Sequence, residues 1–317
     1  MAKYLRKRIL GAVPIFFGIT LFVFLMMYLA PATVADVAGG SLEASSASEK
    51  EALEARLGLD RPFPVQYGTW LLGLFQGDLG NSYWSGRPVM DSIAPRVVPT
   101  VLLTGTGVLL AILLAIPLGV LAAWKPGSGW DRLSSVLSML SFGVPGFCLC
   151  LLGIYLFSVV LGILPAMGMG AGFWGTARHL ILPASVICLG SMGNLLRQTK
   201  GSMLEVLGED YIVAARARGL SDRRVLWRHG LRGAAIPVLT TVLNHIPHVI
   251  GGSMIVERIF GWPGLGDLLF FSVNNRDYMV IMGVTVLVAL AVLLAHLLMD
   301  ILYHFADPRL RWEGGRQ

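Results

Sequence analysis

The chain has 317 residues, of which 55% are apolar and only 14% are charged, and its mean hydropathy is +0.69. Because a soluble domain carries about 25% charged residues, this composition excludes a water-soluble globule, and it also excludes a disordered, collagen-like or coiled-coil chain. The three cysteines lie in apolar runs, which excludes a secreted disulfide framework or a zinc site built from them. The composition is that of an integral membrane protein.

Six apolar stretches without Asp, Glu, Lys or Arg are long enough to cross a bilayer, whose hydrocarbon core of about 30 Å requires roughly 20 helical residues. In chain order they are Ile9–Leu29, Val101–Ala123, Val136–Leu164, Leu180–Leu196, Ile236–Val256 and Met279–Met299. Runs of this length favour helices over barrel strands, which alternate over about ten residues. The sequence therefore predicts an all-α integral membrane protein with six transmembrane helices.

The positions of the basic residues predict the orientation. Most of the 25 Lys and Arg residues lie at the N-terminus, in the connection after the second span, in residues 197–232 and in the C-terminal tail. An excess of Lys and Arg marks the cytoplasmic side, so both termini are predicted to be cytoplasmic. The same asymmetry accounts for the net charge of +6. The expected partner of the basic residues is therefore the lipid bilayer, and no nucleic acid is expected to bind. The N-terminal apolar core is longer than the roughly 7–15 residues of a signal peptide, so we expect a retained first span.

The polar stretches divide the chain into four predicted parts. Residues 1–30 are the cytoplasmic N-terminus and first helix, 31–96 an external segment, 97–303 a domain of five helices with a cytoplasmic loop at 197–235, and 304–317 a cytoplasmic tail.

The external segment contains a predicted helix and an apolar stripe. Ser48 as N-cap, Glu51 in a capping box and Gly58 as the C-terminal stop predict the helix. The apolar stripe runs along Val65–Phe75, after Pro62 and Pro64. This stripe is predicted to pack as a cap on the helical bundle, and direct binding of a partner protein is the alternative.

The most informative polar stretch runs from Arg197 to Pro237. It is predicted to form two short helices with a glycine between them. The first covers about Ser202–Arg218 and ends at Gly219, where a left-handed residue costs least. Ser221 then caps a second helix with Asp222 in its first turn. A rigid helix pair with small residues suits docking of a protein that pushes on the spans, whereas binding of lipid headgroups is the alternative.

At this glycine the chain resembles the "EAA" coupling loop of permease subunits of ATP-binding-cassette (ABC) importers, and more specifically the dipeptide, oligopeptide and nickel branch. The matching residues are Ala214, Ala215, Arg216, Ala217, Arg218, Gly219 and Leu220, followed by His229, Leu231, Arg232, Ala234 and Pro237. Two residues depart from the motif. Val213 stands where the general motif has Glu, and Gly233 stands where Asn is usual, which we expect to loosen the second helix.

Further matches to this branch occur in order along nearly the whole chain. They are Gly58-Leu59-Asp60-Arg61-Pro62, Gln66-Tyr67, Gly77-Asp78-Leu79-Gly80, Pro99-Thr100, Trp262-Pro263-Gly264-Leu265-Gly266, Arg276-Asp277-Tyr278 and Asp307-Pro308-Arg309. Any one of these motifs is a weak signal, but an ordered series is a specific one.

The resemblance implies a type I ABC importer permease fold in the cell inner membrane, with an external domain between helices 1 and 2. It implies three kinds of partner: a second homologous permease, one or two kinds of cytoplasmic ATPase subunit, and an external substrate-binding protein. The ATPases would bind ATP and Mg, because this chain has no G-x-x-x-x-G-K-[ST] motif; it is expected to bind no cofactor and to have no catalytic residue. The implied coupling residues are Ala214, Ala215, Arg216, Ala217, Arg218, Gly219, Leu220 and Ser221.

Candidate substrate-contacting residues lie in the fourth and fifth spans. His245 and His248 are three residues apart, which places them on nearly the same helix face, and neutral imidazole is a common nickel ligand. The two histidines predict a transient metal contact, and a hydrogen bond to a neighbouring helix is the alternative. Asn244, Asn194 and Ser191 are further candidates for the pathway. Nickel or a small metal chelate is the predicted cargo, and a dipeptide or oligopeptide importer is the close alternative.

An external gate is predicted after the fifth span, where the family has a re-entrant turn. The candidate residues are Glu257, Trp262, Pro263, Gly264 and Asp267. An intramembrane enzyme is disfavoured because the chain lacks G-x-S-x-G, H-E-x-x-H and paired carboxylates within the spans, and an ion-coupled secondary transporter is disfavoured because the spans carry no acidic residue.

Overall fold

The structure is a computed structural model that describes residues 2–29 and 60–306. The predicted capped helix at Ser48–Gly58 and the tail from residue 307 lie outside these ranges. Within them the secondary structure is helical, apart from an isolated β-bridge between Asn81 and Pro88. This confirms the all-α prediction for the part of the chain that is described.

The helices follow the apolar runs, with short helices in the connections. In chain order they are α1 (Ala2–Tyr28), α2 (Phe63–Phe75), α3 (Val89–Trp124), α4 (Gly129–Gly143), α5 (Gly146–Gly153), α6 (Gly172–Leu207), α7 (Asp210–Ala217), α8 (Asp222–Arg224), α9 (Leu231–Gly233), α10 (Ala235–Ile259), α11 (Leu265–Asn274) and α12 (Tyr278–Ala306). Two π-helical stretches, Ile154–Val160 after α5 and Val225–Gly230 after α8, continue the chain without a break.

Among the described residues, four helical segments are long and apolar enough to cross a membrane: Leu10–Tyr28, Val89–Trp124, Gly172–Leu207 and Tyr278–Leu298. The bent pair Gly129–Gly143 and Gly146–Val160 makes a fifth if it is one span. Helix α10 covers the remaining predicted stretch. The number six and the cytoplasmic position of both termini stay predictions.

The third predicted span, Val136–Leu164, is not one straight helix. It consists of two helical parts that meet at an angle of 108°. Val144 has extended backbone angles (φ −109°, ψ 120°) at the end of α4, because the ring of Pro145 disfavours a helical conformation in the residue before it. The helix predicted for this stretch is therefore interrupted at Val144.

Two other boundaries differ from the predicted ones. Helix α3 begins at Val89, inside the segment 31–96 that was predicted to be external and polar. Helix α6 runs from Gly172 to Leu207, well beyond both ends of the predicted span Leu180–Leu196. Charged and polar residues at these helix ends complete their backbone hydrogen bonds within the helix just as apolar residues do, so hydropathy alone underestimates helix length.

The chain forms two compact units, one comprising Met1–Thr100 and Pro263–Leu293 and the other Val101–Trp262 and Leu294–Gln317. In the first unit, the apolar stripe of α2 packs against α1 and α12. Trp70 of α2 is buried in a cluster with Phe24 and Met282, and the rings of Phe24 and Trp70 are 6.0 Å apart. This contact supports the interpretation of α2 as a cap.

A buried carboxylate fixes the connection between α2 and α3 in the first unit. Asp277 accepts hydrogen bonds from the Ser82 hydroxyl (2.5 Å) and from the Tyr83 backbone N–H (3.1 Å). Burial and, secondarily, the Asp277 charge raise the pKa of Tyr83 to about 12. Asp277 belongs to the matched motif at residues 276–278, and Ser82 and Tyr83 closely follow the matched motif at residues 77–80. These hydrogen bonds therefore join the two chain segments that carry the motifs.

In the second unit, α3 packs closely on α6 because small residues line the contact. A Cβ added at Gly107 would lie 2.5 Å from Cγ2 of Ile187, and one at Gly119 would lie 2.8 Å from Cβ of Thr199. Ala111 and Ala115 continue this face of α3 and are fully buried. Small residues of this kind let helix backbones approach each other within a membrane.

Replacing Gly107 tests this close packing. We expect Gly107→Ala to lower the thermal unfolding midpoint of the detergent-solubilised protein, because overpacking of a tight contact costs about 1–3 kcal/mol. Gly105→Ala, on the same helix but with nothing within 4 Å of the added Cβ, is the matched control and should leave the midpoint unchanged or raise it. Equal midpoints for both variants would contradict the α3–α6 contact.

Candidate functional site

The segment that the sequence predicts to be the cytoplasmic coupling loop begins with a break in the helix. Helix α6 ends at Leu207, the Gly208 N–H bonds to the Glu205 carbonyl oxygen at 3.1 Å, and Glu209 has extended backbone angles (φ −73°, ψ 145°). Helix α7 then starts at Asp210, whose negative charge is favourable in a first turn. The continuous helix predicted for Ser202–Arg218 is therefore wrong.

The predicted glycine elbow is present at the end of α7. Gly219 has a left-handed conformation with φ +77°, and its N–H donates to the Arg216 carbonyl oxygen at 2.9 Å. A Cβ at this position would meet nothing within 4 Å. Gly219 is consequently required for its backbone angles, as predicted, and not for packing against the rest of the chain.

Ser221 occupies the predicted N-cap position, but its side chain does not cap. Its backbone is extended (φ −62°, ψ 145°) and its hydroxyl makes no capping hydrogen bond. The Ser221 carbonyl oxygen instead accepts the N–H groups of Arg224 and Val225. The predicted second helix is in fact α8, the π-helical stretch Val225–Gly230 and α9 in succession.

The segment from α7 to α9, residues 210–233, is the part of the chain that we call the elbow. Apolar contacts fix one side of it to the rest of the second unit. Ile212, Ala215 and Val225 form a buried cluster against which Val206 and Leu207 of α6 pack. Leu226, Met203 and Val120 belong to a neighbouring cluster. Ala215 is only 7% exposed, so within the predicted coupling set it is an anchor, and Leu220 packs against the same cluster.

The opposite side of the elbow is exposed. It carries the six other predicted coupling residues, which are Ala214, Arg216, Ala217, Arg218, Gly219 and Ser221. The sequence prediction missed two apolar residues there, Val213 (58% exposed) and Tyr211 (46% exposed). Val213 and Ala217 are four residues apart and so share a helix face, a spacing that could have identified them once the start of α7 was known.

An arginine on the elbow contacts the end of α3. The Arg216 guanidinium carbon lies 4.9 Å from the ring centroid of Trp124, a distance within the range of cation–π attraction. The elbow is thus held at two places, by its buried cluster and by this contact with α3.

Gly233 tightens the elbow, contrary to the expectation that it would loosen the second helix. A Cβ at Gly233 would collide with the Tyr211 hydroxyl oxygen and would lie 2.8 Å from Cγ1 of Val206. The absence of a side chain therefore lets α9 approach α6 and α7. Burial and, secondarily, the Glu209 carboxylate raise the pKa of Tyr211 above its ordinary value.

The predicted substrate residues are distributed over α6 and α10. Ser191 is buried in α6, whereas Asn194 is exposed and accepts a hydrogen bond from Arg197 at 3.3 Å. Asn244 is exposed on α10. His245 and His248 lie in the helical backbone of α10, and their side chains are outside the part of the structure that is described.

The predicted gate residues fall into the two units. In the second unit, Glu257 and Trp262 are fully buried, and the Trp262 N–H donates to the Glu257 carbonyl oxygen at 2.8 Å. In the first unit, Pro263 is exposed and Gly264 is the N-cap of α11. Asp267, in the first turn of α11, lies 3.7 Å from Arg96.

Comparison with protein families gives two matches that together cover most of the chain. Residues 115–312 match the family described as "Binding-protein-dependent transport system inner membrane component". Residues 1–104 match the N-terminal family of such membrane components. The elbow lies within the first of these regions.

Curated relatives are similar over almost their entire length. The oligopeptide transport system permease protein AppB of Bacillus subtilis (strain 168) is 40% identical, over 98% of this chain and 100% of the relative. The glutathione transport system permease protein GsiC of Escherichia coli (strain K12) is 38% identical, over 99% and 100%. The dipeptide transport system permease protein DppB of Alkalihalophilus pseudofirmus is 35% identical, over 98% and 100%.

Solved structures show the same kind of helical fold. A chain of the inward-facing MetNI methionine ABC transporter aligns with a TM-score of 0.58 and 18% identity, over 69% of this chain and 97% of that one. A chain of an amino acid ABC transporter aligns with a TM-score of 0.53 and 16% identity, over 68% and 94%. At these identities the similarity shows the fold alone.

Two substitutions at Gly219 test the elbow geometry. A non-glycine residue in the left-handed conformation costs roughly 1–2 kcal/mol, and Asn tolerates it better than other residues. We expect Gly219→Val to open the elbow and accelerate trypsin cleavage at the neighbouring arginines, and Gly219→Asn to leave the cleavage rate close to that of the parent protein. Equal cleavage of both variants would contradict the left-handed elbow.

Proposed function

The chain belongs to the family of binding-protein-dependent transport system inner membrane components, and from this premise we propose that it forms half of the translocation pathway of an ATP-driven importer. A second, homologous permease would supply the other half. ATP hydrolysis would occur on separate cytoplasmic ATPase subunits, which bind ATP and Mg, and an external binding protein would deliver the substrate. The membership itself makes the chain a multi-pass inner membrane permease of ABC transport systems.

The observation that carries this proposal is the two-sided construction of the elbow. Its exposed side presents the small residues Ala214 and Ala217 beside Val213, which allow close approach of another protein. Its buried side is packed on α6 through Ile212 and Val225. Because close-packed interiors are rigid and transmit displacement, a force applied to α7 is carried into the spans.

The arginines of the elbow add a second element of recognition. Arg218, Arg223, Arg224 and Arg228 are all exposed. A groove with acidic residues on an ATPase subunit would complement them, and charge complementarity favours fast association and the correct partner. Headgroup binding alone would not need the exposed small residues Ala214 and Ala217.

A bulky residue on the exposed face tests the docking. We expect Ala214→Leu to reduce copurification of the ATPase subunits and ATP-dependent uptake at least about tenfold, the effect of losing roughly 1.4 kcal/mol of binding, with normal insertion of the permease. Ala94→Leu, at an exposed helical alanine of α3 predicted to lie on the opposite side of the membrane, is the control. The proposal is wrong if the two variants behave alike.

For the cargo, we propose short peptides ahead of nickel. The relatives compared above are named for oligopeptide, dipeptide and glutathione transport, and the overall identity of 35–40% extends over the whole chain. The spacing of His245 and His248 on α10 favours nickel or a small metal chelate as the second candidate. Among the described side chains no group of three or more His, Cys, Asp and Glu residues is placed to hold a metal ion, so the metal candidate depends on that spacing alone.

Uptake by the reconstituted complex, with its binding protein, distinguishes the two cargoes. We expect ATP-dependent uptake of a radiolabelled peptide. His245→Gln and His248→Ala should each change the uptake rate by less than about a factor of two, which corresponds to a free-energy change below about 0.5 kcal/mol. Nickel uptake that both histidine variants abolish would overturn the peptide assignment. The uptake of wild-type complex without ATP is the baseline.

A further inference from the structure

The connection between the π-helical stretch Ile154–Val160 and α6 has an unusual backbone. Three of its residues and the first residue of α6 are left-handed glycines, which adopt such angles without the steric cost that other residues pay. They are Gly162 (φ +62°), Gly168 (φ +87°), Gly170 (φ +71°) and Gly172 (φ +68°). Short π-helical stretches occur frequently at functional sites. This connection, residues 161–171, therefore has a backbone that can change conformation at little cost.

The base of the connection is well anchored. The N–H groups of Ile163 and Leu164 both donate to the Phe157 carbonyl oxygen, at 3.0 and 3.2 Å. Leu164 and Met169 pack against the apolar cluster that contains Trp262. These contacts hold the connection beside the turn Phe260–Trp262, which follows α10 in the same compact unit.

The tip of the connection makes a different kind of contact with that turn. The Gly168 N–H donates to the Phe260 carbonyl oxygen at 2.8 Å. Cε of Met167 would lie 3.4 Å from a Cβ built on Gly261, which is itself left-handed with φ +56°. Met167 is 62% exposed, so the contact buries little apolar area.

We propose that Met167 and Gly168 form a latch on the turn Phe260–Trp262, closed in this structure and opened in each transport cycle. Phe260 and Trp262 are buried and stay anchored in their cluster. The latch itself consists of the hydrogen bond from the Gly168 N–H to the Phe260 carbonyl oxygen and of the largely exposed side chain of Met167. A left-handed glycine lies on each side of the contact, Gly168 in the connection and Gly261 in the turn, and the backbone of both can rearrange. Breaking it therefore displaces no fully buried side chain of the latch, because Met167 is largely exposed. This inference rests on the proposed importer function, because a transport cycle is what would open the latch.

A reversible disulfide tests the latch. Cβ of Met167 lies 3.9 Å from a Cβ built on Gly261, within the roughly 3.5–4.5 Å that a disulfide spans. The variant Met167→Cys/Gly261→Cys is made in a chain whose Cys148, Cys150 and Cys188 are replaced by alanine, and it is assembled with the ATPases and the binding protein. We expect oxidation to cross-link the pair and to lower ATP-dependent uptake at least about tenfold, with recovery on reduction.

Each outcome decides a separate point. Failure of the two cysteines to cross-link would overturn the contact, and full cross-linking with unchanged uptake would overturn its opening. The single variants Met167→Cys and Gly261→Cys should be insensitive to oxidation. Absence of ATP-dependent uptake in the cysteine-free parent would count against the proposed function instead, and cross-linking would still report the contact.

A second measurement leaves Gly261 unchanged and so avoids backbone strain at that position. Met167→Cys alone is labelled with a membrane-impermeant maleimide, with and without ATP, Mg and binding protein. We expect labelling to become at least about threefold faster during turnover, because the latch opens, a rate ratio that corresponds to roughly 0.65 kcal/mol. Phe173→Cys, at an exposed residue after the connection, is the control. Its labelling rate should be the same with and without ATP, Mg and binding protein. An unchanged rate for Met167→Cys would overturn the latch.

Discussion

The constraint on which this structure depends is that backbone N–H and C=O groups within a bilayer must be bonded inside the protein. Long helices satisfy it, and they account for the spans at α1, α3, α6 and α12. Any interruption of a helix then needs a specific local reason. Four such interruptions, at Pro145, Gly208, Gly219 and Gly261, lie at a bend, at the elbow or at the turn after α10.

Within the second unit, close packing depends on glycines, which have no side chain, as much as on large apolar residues. Gly107 and Gly119 let α3 lie against α6, and Gly233 does the same for α9 at the elbow. Large apolar residues such as Met203 and Leu226 then fill the remaining space. The result is a continuous path of packed contacts from the exposed face of α7 to α6 and α3, which is what transmission of a mechanical force requires.

The elbow and the latch show two ways of using a left-handed glycine. At Gly219 the surrounding segment is anchored through Ile212 and Val225, so the glycine fixes a rigid shape. At Gly168 and Gly261 the contact depends on a single main-chain hydrogen bond beside an exposed Met167. The same backbone conformation thus belongs to a rigid element in one place and to a separable contact in the other, because buried residues anchor the elbow whereas the side chain of Met167 is largely exposed.

The sequence alone was sufficient to predict an all-helical membrane protein and the left-handed glycine at residue 219, because both follow from local properties: run length, polarity and the conformational freedom of glycine. Only the tertiary structure decided that Val136–Leu164 bends by 108°, that α6 stops at Leu207, and that Ala215 faces inward while Ala214 faces outward. It also reversed the expected effect of Gly233. The physical reason is that burial and close approach depend on which helices lie next to each other, and no single stretch of sequence contains its neighbours.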